Sequence, residues 1–238
     1  MYIICKELSY SYPGAPSNVF SGVNWSIKGP GFFSLFGLSG VGKSTLARII
    51  SGNIAPKSGK VTSGNGKILY SYDSERLPGW LSIERHLKKT TPAGNSALLE
   101  GLISGYGMGR LLRHRFSALS MGQKNRVNLI RYLVQDFELL ITDEVLANVD
   151  EPTRYEILGS IKRLFPQKTF LYISHNAIEV ARFSKTVYIL PQASDGATAL
   201  IHEVTGLDQH EGYVIDDRTV QGKVYEILRT ASMEGTMP

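Results

Sequence analysis

An apolar run, Phe32-Phe-Ser-Leu-Phe36, leads directly into Gly37-Leu-Ser-Gly-Val-Gly42-Lys43-Ser44-Thr45, and helical spacing continues to Ile50. No other feature restricts the fold of this chain so tightly. The spacing is that of the G-x-x-x-x-G-K-[ST] loop, in which a strand delivers a glycine-rich turn to a helix N-terminus. Glycines let the backbone wrap an anion with its N–H groups inward, and the helix start adds its positive dipole end. The loop therefore predicts a nucleotide phosphate site built from Gly37, Ser39, Gly40, Val41, Gly42, Lys43, Ser44 and Thr45. Lys43 reaches the β- and γ-phosphates as a point charge, and the Ser44 hydroxyl ligates Mg²⁺. Alone, the loop implies nucleotide binding and nothing narrower.

Further short apolar runs read as buried strands of a largely parallel sheet: Lys67 to Tyr70, Glu138 to Thr142, Thr169 to Ser174 and Thr186 to Leu190. Helical spacing lies between them, as in Val127, Ile130, Leu133 and Val134, and the helix after the loop is expected to stop at Gly52. This alternation predicts an α/β fold. Residues 73–119 carry no convincing strand; Ala97 to Ile103 and Arg110 to Leu112 read as short helices. Residues 192–238 are polar, with one helix expected at Val220 to Thr230 and loose ends at Met233 to Pro238. The 238 residues suit one domain, with a core lobe at about 1–72 and 120–238 and a helical subdomain at about 73–119. The single cysteine, Cys5, allows no internal disulfide and reads as a small buried residue. No basic-then-apolar leader opens the chain, and no apolar stretch is long enough to span a bilayer.

A second motif completes the chemistry. Glu138-Leu-Leu-Ile-Thr-Asp143-Glu144 is an apolar strand ending in two carboxylates, at the strand end where open α/β sheets bind ligands. Asp143 is placed to hold Mg²⁺, and Glu144 to polarise an attacking water as general base.

Leu119-Ser120-Met121-Gly122-Gln123 precedes the helix that leads to this strand. Here the chain resembles the ATP-binding-cassette ATPases, whose signature reads L-S-G-G-Q, with Met121 in place of the first glycine. Arg126 and Arg131 match basic positions after that signature. Ala147-Asn-Val-Asp150 is similar to the D-loop, His175 to the switch histidine and Tyr12 to the aromatic that stacks on adenine, with Tyr10 as a competing aromatic. The resemblance spans about residues 2–190. It implies a P-loop NTPase core with a mostly parallel sheet, an N-terminal antiparallel β region and a small helical subdomain. It also implies ATP and Mg²⁺ as cofactors, with Lys43, Glu144 and His175 as catalytic residues. Tyr12, Ser120, Gly122, Gln123 and Asp150 join the nucleotide contacts. Ser120 and Gly122 begin a helix and so form a second anion cradle. One chain needs one phosphate cradle per ATP, so the second makes sense if two copies close head to tail on each other's nucleotide.

The family places a glutamine after the strand that Lys67 to Tyr70 forms, yet this chain has no glutamine before Gln123. Counting back from Trp80 lands on Asp73, a carboxylate able to ligate Mg²⁺; the alternative is that Asp73 faces solvent. The leading reading is the motor subunit of a transporter, of importer type, working through separate membrane permease subunits and possibly a substrate-binding protein. It would sit in the cytoplasm, peripheral on the inner face of the membrane. Trp80-Leu-Ser-Ile83 resembles a W-L-T-V run in nitrate, sulfonate and taurine importers. The alternative is a soluble cassette ATPase acting on nucleic acid or the ribosome, which the net charge of +5 permits; a small-molecule P-loop kinase is a third. Direct nucleic-acid binding is not expected. The cluster from Arg110 to Arg115 reads first as a solvated face and second as a contact surface, in which Arg110, Arg113 and Arg115 would meet a partner or lipid headgroups.

Overall fold

The computed structural model describes residues 1–73, 75–191 and 200–232. Three strands, β1 (Tyr2–Tyr10), β2 (Phe20–Lys28) and β4 (Ser58–Ser63), form an antiparallel sheet in the order β2-β1-β4. The second sheet has the order β5-β6-β7-β3-β8-β9, from β3 (Gly31–Phe36), β5 (Ile68–Tyr72), β6 (Leu139–Asp143), β7 (Thr169–Ile173), β8 (Thr186–Ile189) and β9 (His202–Thr205). All its neighbours pair in parallel except β8 and β9. The mixed α/β class is as the sequence pattern predicted, and the N-terminal antiparallel region as the resemblance implied. β6 and β7 are buried at every residue, as parallel strands covered on both faces must be. Asp143 and the Ser174–His175 turn therefore emerge side by side at one sheet end, with β3 and its loop on the far flank of β7.

The helices are α1 (Lys43–Ile50), α2 (Ile83–Thr90), α3 (Ser96–Gly105), α4 (Met121–Leu133), α5 (Glu151–Leu164), α6 (Ala177–Phe183) and α7 (Asp217–Ser232). One apolar cluster packs α1 between the two sheets, through Leu46, Ile49 and Ile50 against Ile3, Trp25, Ile141 and Ile173. A second lies on the other sheet face. It runs from Phe32, Leu140 and Phe170 through α4 and α5 into Ile83, Leu87, Leu99 and Leu102 of α2 and α3. The helical stretch thus shares a continuous core with the sheet.

Several boundaries moved. β5 reaches Tyr72, two residues beyond its apolar run, which brings the strand to the edge of Asp73. Residues Gly109–Leu111 form a single 3₁₀ turn where a short helix over Arg110 to Leu112 was expected. α2 was not foreseen: its face is defined by only Ile83 and Leu87, and Ser82 caps it by accepting from Arg85 N–H at 3.4 Å. β9 was also missed, since His-Glu-Val-Thr buries only Val204. The expected C-terminal helix is present as α7, whereas Met233 to Pro238 lie outside the described residues. Cys5 is buried in β1, and burial pushes its thiol up to about 12. No helix among the described residues is long and apolar enough to cross a membrane.

Candidate functional site

The loop after β3 ends at the N-terminus of α1. Gly42 sits at the N-cap of α1 with φ 103°, a left-handed conformation, and a Cβ there would meet Val19 Cγ1 at 2.6 Å. No side chain caps the helix, so its first N–H groups are presented by the loop itself. Lys43 folds across this loop, with Nζ donating to the carbonyl oxygens of Gly37 and Leu38 at 2.8 Å each. Burial lowers its pKa, against the opposing pull of Glu144 and Asp143. Ser39, Gly40 and Ser44 are exposed, while Gly37, Val41 and Thr45 are buried. The Thr45 hydroxyl is shared with Tyr12 Oη at 2.8 Å, which anchors the Tyr12 ring beside α1. That ring stands edge-on to Tyr10 at 5.1 Å and is 44% exposed, so a flat aromatic face remains available.

Opposite the loop, Asp143 Oδ2 accepts from Tyr70 Oη at 2.8 Å, while Asp143 Oδ1 is buried with no hydrogen-bond partner. A buried carboxylate oxygen left bare costs free energy unless a cation or donor meets it. Ser44, Arg48, Asn53, Tyr70, Tyr72, Asp73, Asp143 and Glu144 line one open cleft of about 660 Å³. Ser44 and Asp143 supply hard oxygens to this cleft, which suits a divalent ion that completes its shell with phosphate oxygens and water. Among the described residues no cluster of three or more His, Cys, Asp or Glu could hold a metal by itself.

Glu144 has φ 55°, unusual for a side chain of this size, and its N–H donates to the Ile173 carbonyl at 3.0 Å. Its Oε2 lies 2.8 Å from His175 Nδ1, and burial raises the carboxyl's pKa although His175 pulls it down. The His175 side chain is 74% exposed. Its turn is held from behind by Glu179, buried in α6. Glu179 accepts from Tyr172 Oη at 2.6 Å and Asn176 Nδ2 at 2.8 Å and pairs with Arg154.

Ser120 and Gln123 form a capping box at the start of α4: Gln123 N–H donates to Ser120 Oγ at 3.3 Å and Ser120 N–H to Gln123 Oε1 at 3.0 Å. Met121 is 41% exposed, so a side chain fits where the family has a glycine. Gly122 has no such room, because a Cβ would overlap the carbonyl oxygen of Asn148. Replacing glycine by alanine near a helix start ordinarily gains up to about 1 kcal/mol. Here the overlap, at about 1–3 kcal/mol, wins. Gly122→Ala is expected to lower the urea midpoint with an unchanged slope; a midpoint above native would contradict this close approach. Asp150 caps α5 through Thr153 N–H at 3.1 Å.

The structure thus brings together Ser44, Asp73, Asp143 and Glu144 in the cleft, with His175 in contact with Glu144. Tyr12, residues 37–43, Thr45, Ser120, Gly122, Gln123 and Asp150 are not in its lining. Tyr70 was missed by sequence reasoning: it sits inside an apolar strand, and only the pairing of β5 with β6 reveals its reach to Asp143. Asn125, which bonds Asp73, had no sequence signal either, and Asn148, which also bonds it, stood in the D-loop run without a role of its own.

The sequence profile of the family described as "ABC transporter" matches residues 20–147. The molybdenum import ATP-binding protein ModC of Brucella abortus (strain 2308) is 31% identical over 209 residues, covering 78% of this chain and 58% of that protein. ModC of Photorhabdus laumondii is 28% identical over 200 residues, covering 76% and 56%. The chain thus spans just over half the length of these curated relatives. Among solved structures, an ATP binding subunit of an ABC transporter superposes with a TM-score of 0.76 at 20% identity, covering 98% of this chain and all of that one. A bacterial ABC transporter cassette described as dimeric gives 0.71 at 23% identity, covering 85% and 98%. At these identities the structural likeness speaks for the fold.

Proposed function

Given that this chain belongs to the ABC transporter family, we propose that it is the ATP-binding and ATP-hydrolysing subunit of an importer, driving translocation through separate membrane permease subunits. The observation that carries the reading is the cleft itself. The Ser44 hydroxyl, the bare Asp143 Oδ1 and the Glu144 carboxylate converge there, directly after the glycine loop whose Lys43 feels the charge of both carboxylates, while the capped helix start at Ser120 and Gly122 lies outside it.

In this reading the loop N–H groups and Lys43 hold the triphosphate, and the Tyr12 ring stacks on the adenine. Ser44 and Asp143 would hold Mg²⁺, which neutralises charge between the β- and γ-phosphates when bound. Tyr70 donates to Asp143 Oδ2, so Oδ1, which has no hydrogen-bond partner, would be the oxygen left to hold the ion. Glu144 takes the proton of the attacking water, and His175 orients Glu144 from its Nδ1 side. Ser120, Gly122, Gln123 and Asp150 act on the ATP of a second copy, facing head to tail. Residues 73–119 dock the membrane partner, with Arg110, Arg113 and Arg115 at that surface. The subunit works peripherally on the inner face of the membrane, and a substrate-binding protein would deliver cargo. Molybdenum, the cargo named for the ModC relatives, is the first to test.

Phosphate release per chain, measured over a range of chain concentrations with Mg·ATP in excess, tests the shared site. The rate is expected to rise with concentration and then level off as copies pair. A rate per chain independent of concentration down to strong dilution would mean that one copy is sufficient.

A further inference from the structure

Tyr70 and Tyr72 stand on one face of β5, and the parallel pairing with β6 sets Tyr70 beside Ile141 and Tyr72 beside Asp143. Asp143 therefore lies two residues ahead of Tyr70 on the neighbouring strand, an advance of about 7 Å that the length of a tyrosine side chain covers. The phenol ends 2.8 Å from Asp143 Oδ2. An ionised carboxylate only accepts, so the phenol donates. Its ring is held in that pose from two sides. It packs on the apolar cluster around α1, and it stacks on the Tyr72 ring with centroids 5.7 Å apart and planes 25° from parallel. Burial and the charge of Asp143 both raise the phenol's pKa, so the proton stays on Tyr70.

The two oxygens of Asp143 are thus unequal. Oδ2 carries the phenol donor, whereas Oδ1 is buried with no hydrogen-bond partner among the described residues. Resting on the reading of the cleft as an ATP site with a divalent cation, we propose that Tyr70 is a positioning residue that makes Asp143 a one-oxygen ligand and so favours a small cation over a large one. A cation drawn onto both oxygens would have to share Oδ2 with the phenol proton, and the two repel. Mg²⁺ demands a near-octahedral shell, which the narrow bite of a two-oxygen carboxylate breaks; Ca²⁺ gathers roughly six to eight oxygens and accepts carboxylates in either mode. Taking the phenol hydroxyl away has opposite consequences for the two ions. The small ion loses a ligand held in one orientation, and the large ion gains access to a second oxygen.

The test compares the native chain with Tyr70→Phe and Asp143→Asn, each bound to the β,γ-imido analogue of ATP so that no turnover intervenes. Phenylalanine removes the hydroxyl alone and keeps the ring that stacks on Tyr72. Three quantities are read: affinity for the analogue without metal, Mn²⁺ affinity of the complex by electron paramagnetic resonance, and Ca²⁺ affinity by displacement of Mn²⁺. Tyr70→Phe is expected to leave metal-free affinity unchanged and to weaken Mn²⁺ by about tenfold or more, as loss of a ligand's hydrogen-bond partner does. Ca²⁺ is expected to weaken less, by under about threefold, so the preference for Mn²⁺ narrows. A role in packing alone would lower both ions equally or lower metal-free affinity, and either result would overturn the proposal. So would a Mn²⁺ affinity within about threefold of native in Tyr70→Phe while Asp143→Asn loses it. If Asp143→Asn too binds Mn²⁺ as the native chain does, the reading of the cleft fails, and the proposal with it.

Discussion

Glu144→Gln is expected to cut ATP hydrolysis by about 10²- to 10⁴-fold, the usual contribution of a positioned general base, and to leave ATP binding near native. The substitution is nearly isosteric. The amide can still meet His175 Nδ1, and the backbone at φ 55° need not change. What is lost is the capacity to take a proton from water. The raised pKa fits the role, because burial makes this carboxylate a better proton acceptor than an exposed glutamate. His175 cannot substitute: its side chain is largely exposed and its Nδ1 is already engaged at Glu144. Single-turnover phosphate release alongside equilibrium ATP binding separates the two effects. Turnover close to native in Glu144→Gln would assign the base to another group.

Lys43→Ala is expected to act on binding instead. The ammonium lies over the loop carbonyls and near two carboxylates, Asp143 and Glu144, whose charge it offsets. Without it a polyphosphate enters a cleft with net negative walls. Truncating one partner of a desolvated charge pair costs about 2–5 kcal/mol, and the open loop argues for the lower end. A cost of about 2–3 kcal/mol weakens ATP affinity by roughly 30- to 150-fold. Lys43→Arg is not expected to rescue fully, because a planar guanidinium does not replace a compact point charge inside a tight turn. Calorimetric titration with ATP reads this directly. An affinity within a factor of about three of native, under 1 kcal/mol, would mean that the loop N–H groups alone carry the phosphates.

The loop, the acidic strand and the capped start of α4 were legible because each is local: the residues that act are contiguous, and their spacing is their geometry. Other features depend on contacts across the fold. The left-handed backbone of Glu144 follows from its hydrogen bond to Ile173, on a strand roughly thirty residues away, and nothing in Asp143-Glu144-Val145 announces it. Asp73 was readable as a neighbour of the cleft by counting from Trp80. Its partners were not, since Asn125 and Asn148 come from a helix and a turn far along the chain. α2 and β9 escaped because each buries two hydrophobic residues or fewer, too few to set a period. The Trp80-Leu-Ser-Ile83 run shows the opposite hazard. Ser82 caps α2 and Ile83 lies in the core, so folding alone accounts for half of that run, which says little about cargo.

The central claim is that ATP held at Lys43 of one copy is closed by Ser120 and Gly122 of another. Sedimentation of the Glu144→Gln chain with and without ATP, repeated with Ser120→Asp added, measures it. Aspartate keeps the cap of α4, since its carboxylate can accept from the Gln123 N–H as Ser120 does, but it sets a negative charge against the incoming phosphate. The expected result is an ATP-dependent shift from monomer to dimer in Glu144→Gln, abolished by Ser120→Asp while each monomer still binds ATP. A dimer that forms equally well with Ser120→Asp, or a chain that stays monomeric with saturating ATP, would contradict the account.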